Sequence, residues 1–368
     1  MTSEGFVGKS ARPVARGKPL VGITMGDPGG IGAETIVKAL ADQEIRSLGR
    51  YIIYGVEDLL DRAAGRAGIP PYWFRVPLDE LDRVDSGVVV ADFEEFGVYP
   101  WSIGRPTSEG GRASLRFFDE AIEAARRSTI SAIVTGPIHK ISWKLAGCRF
   151  PGHTEKIADA FDVRRVNMAF VGGGLRIALA SAHIGLFQLR NVFSLGLVFQ
   201  AIELLNHALV HWFGIDNPRI AVAGLNPHAS EEGRFGDEET RVIEPAMQMA
   251  RNVGIDTDGP FPPDSLFILR RRCRYDGIVA MYHDQGLIPI KMLAFDTAVN
   301  LTLGLPVIRT SVDHGTAFDI ADTNAADPGS MKEAIRLACQ LGAQAAPFAP
   351  SAPASGYSCS ASTRSKPA

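Results

Sequence analysis

The chain has 368 residues, 46% of them hydrophobic and 21% charged, with a formal net charge of −3 at pH 7. That length suits two domains or one elaborated domain, and the mixture is ordinary for a globular protein with ample core. The charge balance gives no general attraction to nucleic acid, no basic stripe interleaved with aromatics suggests a nucleic-acid groove, and no apolar run reaches the length of a membrane span.

Residues 1–18 are polar and glycine-rich and read as a flexible N-terminal extension. Leu20-Val21-Gly22-Ile23-Thr24 reads as a strand, then a glycine-rich turn, Met25 to Gly32, then a helix from Ala33 to Leu40. This is the layout of a nucleotide-binding loop, but it matches neither a P-loop nor GxGxxG, so a structural turn explains it equally well. Strands follow at Arg50–Gly55, Val88–Val90 and Ile130–Val134, with a helix over Gly111–Arg127 that turns Leu115, Phe118, Ala121 and Ile122 inward. Alternation at these intervals predicts an α/β fold with a mainly parallel sheet.

The middle of the chain holds the candidate chemistry. Phe150-Pro151-Gly152-His153-Thr154-Glu155 precedes a helical pattern, so His153 and Thr154 sit at a helix N-terminus suited to an anion, or Thr154 is simply a cap. Three apolar strands, Arg176–Ala180, Arg219–Ala223 and Gly277–Met281, each end within a few residues of a histidine: His183, His228 and His283. Three such strand ends can converge on one sheet edge and form an open metal site, and imidazole donors favour zinc, cobalt, nickel or iron over magnesium. His207 and His211 lie four apart on a helical pattern from Ala201 to Phe213, and a surface or packing role is preferred to metal binding. Ala229 to Glu239 reads as a mobile loop over a site, and Asp264 as either a helix cap or a catalytic carboxylate. Beyond His283, Lys291 and Arg309 supply fixed cations and Asn300 an amide before the Asp313-His314-Gly315-Thr316 run. The segment 345–368 is rich in Ala, Pro and Ser and reads as a disordered tail. Cys148, Cys273, Cys339 and Cys359 form no CxxC pair and the opening residues lack a signal-peptide core, so the expected compartment is the cytoplasm.

From Leu20 to Leu341 the motifs GDPGGIGAE, TGPIHK, PGHTE, GLNPHAS, YDGIVAMYHDQG and VNLTLGLPVIRTSVDHGTA resemble the 4-hydroxythreonine-4-phosphate dehydrogenase family of the vitamin B6 pathway and its paralogues. The resemblance implies a two-domain α/β fold of the isocitrate and isopropylmalate dehydrogenase type, with the active site in the interdomain cleft. It divides the chain into a discontinuous first domain, 19–138 plus 310–344, and a second domain, 139–309, that carries the metal, substrate and dimer contacts. It implies a divalent metal on His183, His228 and His283, zinc ahead of cobalt or magnesium, in a site shared across a homodimer interface. Substrate contacts fall on His153, Thr154, Lys291, Asn300 and Arg309. His314, Gly315, Thr316 and Asp319 lie in a segment similar to the adenosine-binding loop of the isocitrate and isopropylmalate enzymes. The implied reaction is oxidation of a phosphorylated hydroxy acid by NAD or NADP, then decarboxylation, with Asp264 as base or proton relay and Lys291 also among the catalytic groups. No nucleic-acid or membrane partner is expected. His139, Gly185 and Ser230-Glu231-Glu232-Gly233 depart from the commoner family pattern, and the forms ITMGDP and HGTAFDIA lean toward D-threonate or D-erythronate 4-phosphate. The alternatives are a dehydrogenase of an aromatic dihydrodiol dicarboxylate and a nonenzymatic binding protein on the same scaffold.

Overall fold

The structure, a computed structural model, describes residues 17–96 and 103–344, without the side chains of 82 and 83. The expected N-terminal extension, apart from Gly17 and Lys18, lies outside the described residues, as do the 345–368 tail and Cys359.

The chain opens as strand β1 (Leu20–Thr24), helices α1 (Gly32–Ala41) and α2 (Gln43–Ser47), strand β2 (Arg50–Gly55), helix α3 (Glu57–Ala67), then strands β3 (Phe74–Val76) and β4 (Val88–Asp92). Helix α4 (Ser108–Arg126) leads to β5 (Ala132–Thr135), α5 (Lys140–Leu145) and α6 (His153–Ala160). Strands β6 (Asn167–Gly172) and β7 (Leu175–Leu179) precede α7 (Leu186–Val192), α8 (Leu195–His211) and β8 (Arg219–Ala223). After α9 (Glu244–Asn252), β9 (Asp256–Phe261), α10 (Pro263–Leu266), α11 (Leu269–Arg272) and β10 (Gly277–Ala280), helix α12 (His283–Ala294) leads into β11 (Val299–Leu303), β12 (Ile308–Ser311) and α13 (Gly329–Gln344).

Apolar runs that read as strands become buried strands. Every residue of β1 is buried, because parallel strands with helices on both faces present no wet side. In α4, Thr107 caps the helix by accepting from the Gly110 N–H at 2.9 Å, one turn earlier than the apolar period alone suggests. Its inner face is carried by Phe117 as well as Phe118, Ala121 and Ile122, while Leu115 is only partly buried.

All twelve strands form one sheet in the order β3-β4-β2-β1-β5-β12-β11-β6-β7-β10-β8-β9. Neighbours are parallel except at β12/β11, β11/β6 and β6/β7, so strand direction reverses around the middle of the sheet. Strands β7, β10 and β8 are adjacent and parallel, with Ala280 beside Leu179 and Val279 beside Val222. Their carboxyl ends therefore lie side by side, and the loops carrying His183, His283 and His228 leave from one sheet edge. Among the described residues no single helix is long and apolar enough to cross a membrane.

Candidate active site

Buried polar side chains lock those three strand ends together. Ser181 donates its hydroxyl to the Met281 carbonyl at 2.7 Å, joining the end of β7 to that of β10. Gln285, itself buried, accepts from the Met281 N–H at 2.6 Å and donates to the Gly224 carbonyl at 2.8 Å, joining β10 to β8. The result is that the His183 and His283 rings lie 5.7 Å apart, centroid to centroid. His283 Nδ1 is 2.7 Å from Asp284 Oδ1, which orients the ring and leaves Nε2 as the free donor. Partial burial, then the neighbouring His283 and Lys140, lower the His183 pKa, so its imidazole is neutral at neutral pH, the state that binds a metal.

His228 does not join that pair; its ring faces Phe235 at 6.2 Å. Among the described residues no group of three His, Cys, Asp or Glu side chains is placed to hold a metal ion. The donor chemistry of His183 and His283 fits a divalent ion, with two imidazoles brought together in one chain and His228 apart from them. His228 sits in an unusual turn: His228, Ala229, Ser230, Glu231 and Glu232 all have left-handed φ between 46° and 67°. The buried Glu239 carboxylate anchors its base, accepting from the N–H groups of Leu225 at 2.8 Å and Asn226 at 2.7 Å. Asp264 is exposed in the first turn of α10, which packs against the His228 turn; residue 262, not Asp264, occupies the cap position.

A second cluster adjoins His183. His153 opens α6 and is buried edge-on against Phe118 and Trp143, at 4.6 and 5.3 Å. Gly152 is the cap residue there, so the reading of Thr154 as a cap does not hold; Thr154 stands half-buried in the first turn. Burial, and then the Arg309 charge, hold the His153 pKa well below its usual value, and its Nε2 has no partner. Arg309 on β12 is 4% exposed and donates to the hydroxyls of Thr302 at 3.1 Å and Thr135 at 2.7 Å, while its Nε has no partner. Burial pulls its pKa down to about 10. Among the described residues the Glu155 carboxylate is the opposing charge that acts on it, and Glu155 also acts on His183, so Glu155 links the two clusters. Asn300 lies on the neighbouring strand β11, opposite Ser311 of β12.

Neutral burial of His153 has a testable consequence. Below about pH 6.5 an unfolded histidine takes up a proton that the folded one refuses, so stability present above that pH falls by about 1.4 kcal/mol per pH unit and site until the depressed folded value is reached. Thermal melts of the wild type and His153→Gln between pH 7 and 5 should differ in slope by one proton, the variant being shallower. Equal slopes would contradict a neutral buried imidazole.

Lys291, on α12, pairs with Asp313 and lies 5.0 Å from the Phe295 ring. Eight residues along a helix from His283, at about 1.5 Å each, put it on the order of 12 Å away from that histidine. The loop after β12 bears the expected cofactor residues. His314 Nδ1 is 2.9 Å from the Gly315 carbonyl, its Nε2 is buried without a partner, Thr316 is buried, and Gly315 and Asp319 are exposed. The glycine-rich turn packs on this loop: Ile31 N–H donates to the Thr316 carbonyl at 3.1 Å, and a Cβ on Gly30 would lie 2.7 Å from that oxygen. The buried Asp27 carboxyl, pushed up by burial, accepts from Gly29 N–H at 3.0 Å and keeps one oxygen unpartnered. A cradle of close-packed glycine backbone with orphaned polar atoms fits a polar ligand of dinucleotide type. His139 stacks on Phe318 of the same loop at 5.0 Å. The His207 and His211 rings lie 4.4 Å apart on α8, His207 partly buried and His211 exposed.

The chain as a whole is similar to known proteins. The family model described as pyridoxal phosphate biosynthetic protein PdxA matches residues 47–338. A 4-hydroxythreonine-4-phosphate dehydrogenase of Desulforapulum autotrophicum is 42% identical over 87% of this chain and 95% of its own length. A D-threonate 4-phosphate dehydrogenase of Cupriavidus necator is 41% identical over 88% and 97%. The crystal structure of 4-hydroxythreonine-4-phosphate dehydrogenase from Klebsiella pneumoniae superposes with a TM-score of 0.81 at 36% identity, covering 89% of this chain and 98% of that one. A terephthalate 1,2-cis-dihydrodioldehydrogenase from Burkholderia xenovorans reaches 0.62 at 30% identity, over 88% and 98%. Fold and relatives together define an α/β oxidoreductase of the dehydrogenase class. Within that class the chain belongs to the PdxA family.

Proposed function

We propose that the chain is a metal-dependent, NAD(P)-linked dehydrogenase that oxidises the secondary alcohol of a phosphorylated four-carbon hydroxy acid, 4-hydroxythreonine 4-phosphate or D-threonate 4-phosphate. The β-keto acid so formed then loses carbon dioxide. The observation that carries this reading is Arg309, a buried cation whose contacts are two threonine hydroxyls. A buried guanidinium of that kind is stabilised by an anion arriving with the ligand. His153 and Thr154 flank it at a helix N-terminus, and Asn300 offers an amide from the neighbouring strand.

In this reading His183, His228 and His283 hold the divalent ion, zinc ahead of cobalt or magnesium. When bound it supplies Lewis acidity toward the substrate oxygens, and NAD(P) supplies the hydride acceptor. Asp264, beside the His228 turn, accepts the hydroxyl proton, and Lys291, oriented by Asp313, binds an anionic group. His314, Gly315, Thr316 and Asp319 contact the cofactor.

The cleft lies between a first lobe, 19–138 with 310–344, and a second, 139–309. A span of about 12 Å between His283 and Lys291 exceeds what one four-carbon substrate bridges comfortably. Ile288, Met292, Leu293 and Phe295 around α12, and Leu186 and Phe187 on α7, are exposed large apolar side chains. Both features support a homodimer in which Lys291 of one copy serves the metal pair of the other.

The test is NAD(P)H formation with each phosphorylated acid, its dephosphorylated form and an aromatic cis-dihydrodiol. Turnover of the phosphorylated acids at least about tenfold above the others is expected, the worth of one charge-assisted contact. Efficient use of the dihydrodiol alone would move the chain to the aromatic branch of the family.

A further inference from the structure

A groove of about 550 Å³ opens at the amino-terminal ends of β1, β2 and β4, lined by Lys18, Arg46, Arg50, Tyr72, Asp85 and Ser86. Lys18 stands just before β1, Arg50 is the first residue of β2, and Asp85 and Ser86 lie just before β4. The three strands run parallel, with Leu20 beside Arg50 and Tyr51 beside Val88, so these residues collect at one edge. The glycine-rich turn leaves from the other end of β1, five residues or roughly 16 Å away. Arg309 is on β12, three strands along from β2, a separation of roughly 14 Å. The groove thus lies apart from both the glycine-rich turn and the buried Arg309.

Lys18, Arg46 and Arg50 face a single carboxylate there, Asp85, so two positive charges are in excess. Neither arginine is spent on an acid. Arg46 donates from Nη1 to the Leu40 carbonyl at 3.1 Å, and its guanidinium lies 4.8 Å from the centre of the Tyr72 ring. Arg50 donates from Nε to the Lys18 carbonyl at 3.1 Å and from Nη1 to the Val84 carbonyl at 3.0 Å. Neutral groups therefore orient both forks and leave their charge uncancelled, and each keeps further N–H donors. The acids nearest in sequence are committed to α13: Asp42 pairs with Lys332 at 2.8 Å and Glu44 with Arg336 at 3.2 Å. Among the described residues no ion pair joins Lys18, Arg46 or Arg50. Tyr72 is itself pinned, donating its hydroxyl to the Val37 carbonyl at 2.7 Å, so the ring behind Arg46 is fixed. Half-buried, preoriented guanidinium groups without a carboxylate are a built receptor for an oxyanion. A phosphate monoester carries roughly −1.5 to −2 at pH 7, which matches the excess charge. The volume falls within the roughly 300–1,000 Å³ of small-molecule sites and is far more than a bare phosphate fills.

We propose that this groove is a separate binding site for a small organic phosphate monoester, held through its phosphate by Arg46 and Arg50. Calorimetric titration with ribose 5-phosphate tests it without turnover. Arg309→Met protein serves as the host, so that the buried cation of the substrate cluster does not contribute to the signal. Ribose 5-phosphate should bind this host, and inorganic phosphate or ribose should each bind at least about tenfold more weakly. Adding Arg46→Gln/Arg50→Gln should weaken ribose 5-phosphate by at least about tenfold, the worth of one charge-assisted contact. Those arginines also hold backbone carbonyls, so two exposed neighbours provide a check that leaves the fold alone. Ser86→Asp should weaken binding and Asp85→Asn should strengthen it, both effects shrinking as salt is raised. Inorganic phosphate binding as tightly as ribose 5-phosphate would reduce the groove to a general anion contact and overturn the assignment. So would no binding to the Arg309→Met host, or an affinity indifferent to the glutamine pair and to Ser86→Asp.

Discussion

His283→Ala is expected to reduce kcat/KM by on the order of a thousandfold or more, the scale of losing several kcal/mol of transition-state stabilisation when a Lewis acid is displaced. The sheet should survive. His283 is the first residue of α12 and is only partly buried. The strand ends it sits on are held by Ser181 and Gln285, which the substitution leaves intact. His183→Ala and His228→Ala should behave alike, and bound metal measured by elemental analysis should fall from about one ion per chain toward zero in all three. Circular dichroism should be unchanged. Full activity in wild-type protein after complete, verified removal of metal would end the metal-dependent reading.

Arg309→Met should separate activity from stability. The guanidinium is buried with a lowered pKa, and in the free protein its contacts do not neutralise it. A methionine of similar length removes the cost of burying that charge, so the melting temperature should hold or rise, as replacing buried ions by apolar groups often does. Catalysis should fall by about a hundredfold in kcat/KM, and Arg309→Lys, which keeps charge but not the planar fork, by about tenfold. Differential scanning calorimetry alongside kinetics checks both. A strongly destabilised Met variant that keeps its kcat/KM would mean that Arg309 serves the fold and not the ligand.

Much of this could be read from the chain because the proposed chemistry sits where short apolar runs stop. The strands ending near His183, His228 and His283 are plain in the sequence, and their adjacency in the sheet follows once β7, β10 and β8 pair in parallel. What could not be read is which strands reverse. Nothing in Asn167–Gly172 or Val299–Leu303 says that each will run antiparallel to its neighbours, since side-chain period does not encode a partner. Glu155, Gln285, Thr135 and Thr302 were all legible as polar residues near motifs. Their roles depend on contacts between distant segments, such as Arg309 with Thr135 at 174 residues' separation, and no local pattern reports those. The Thr154 cap failed for a local reason, because Gly152 adopts the extended entry instead.

The left-handed turn that carries His228 has a consequence for how tightly an ion could be held. Five consecutive side chains occupy a backbone region that costs roughly 1–2 kcal/mol per residue outside glycine. Glycines would relieve that strain, but they would also let the segment sample many shapes. Side chains with a Cβ, clamped at the base by Glu239, leave few alternatives to the observed one. If His228 is the third ligand of the proposed site, its backbone thus has little conformational entropy left to surrender on ligation, and the turn would exchange folding stability for preorganisation.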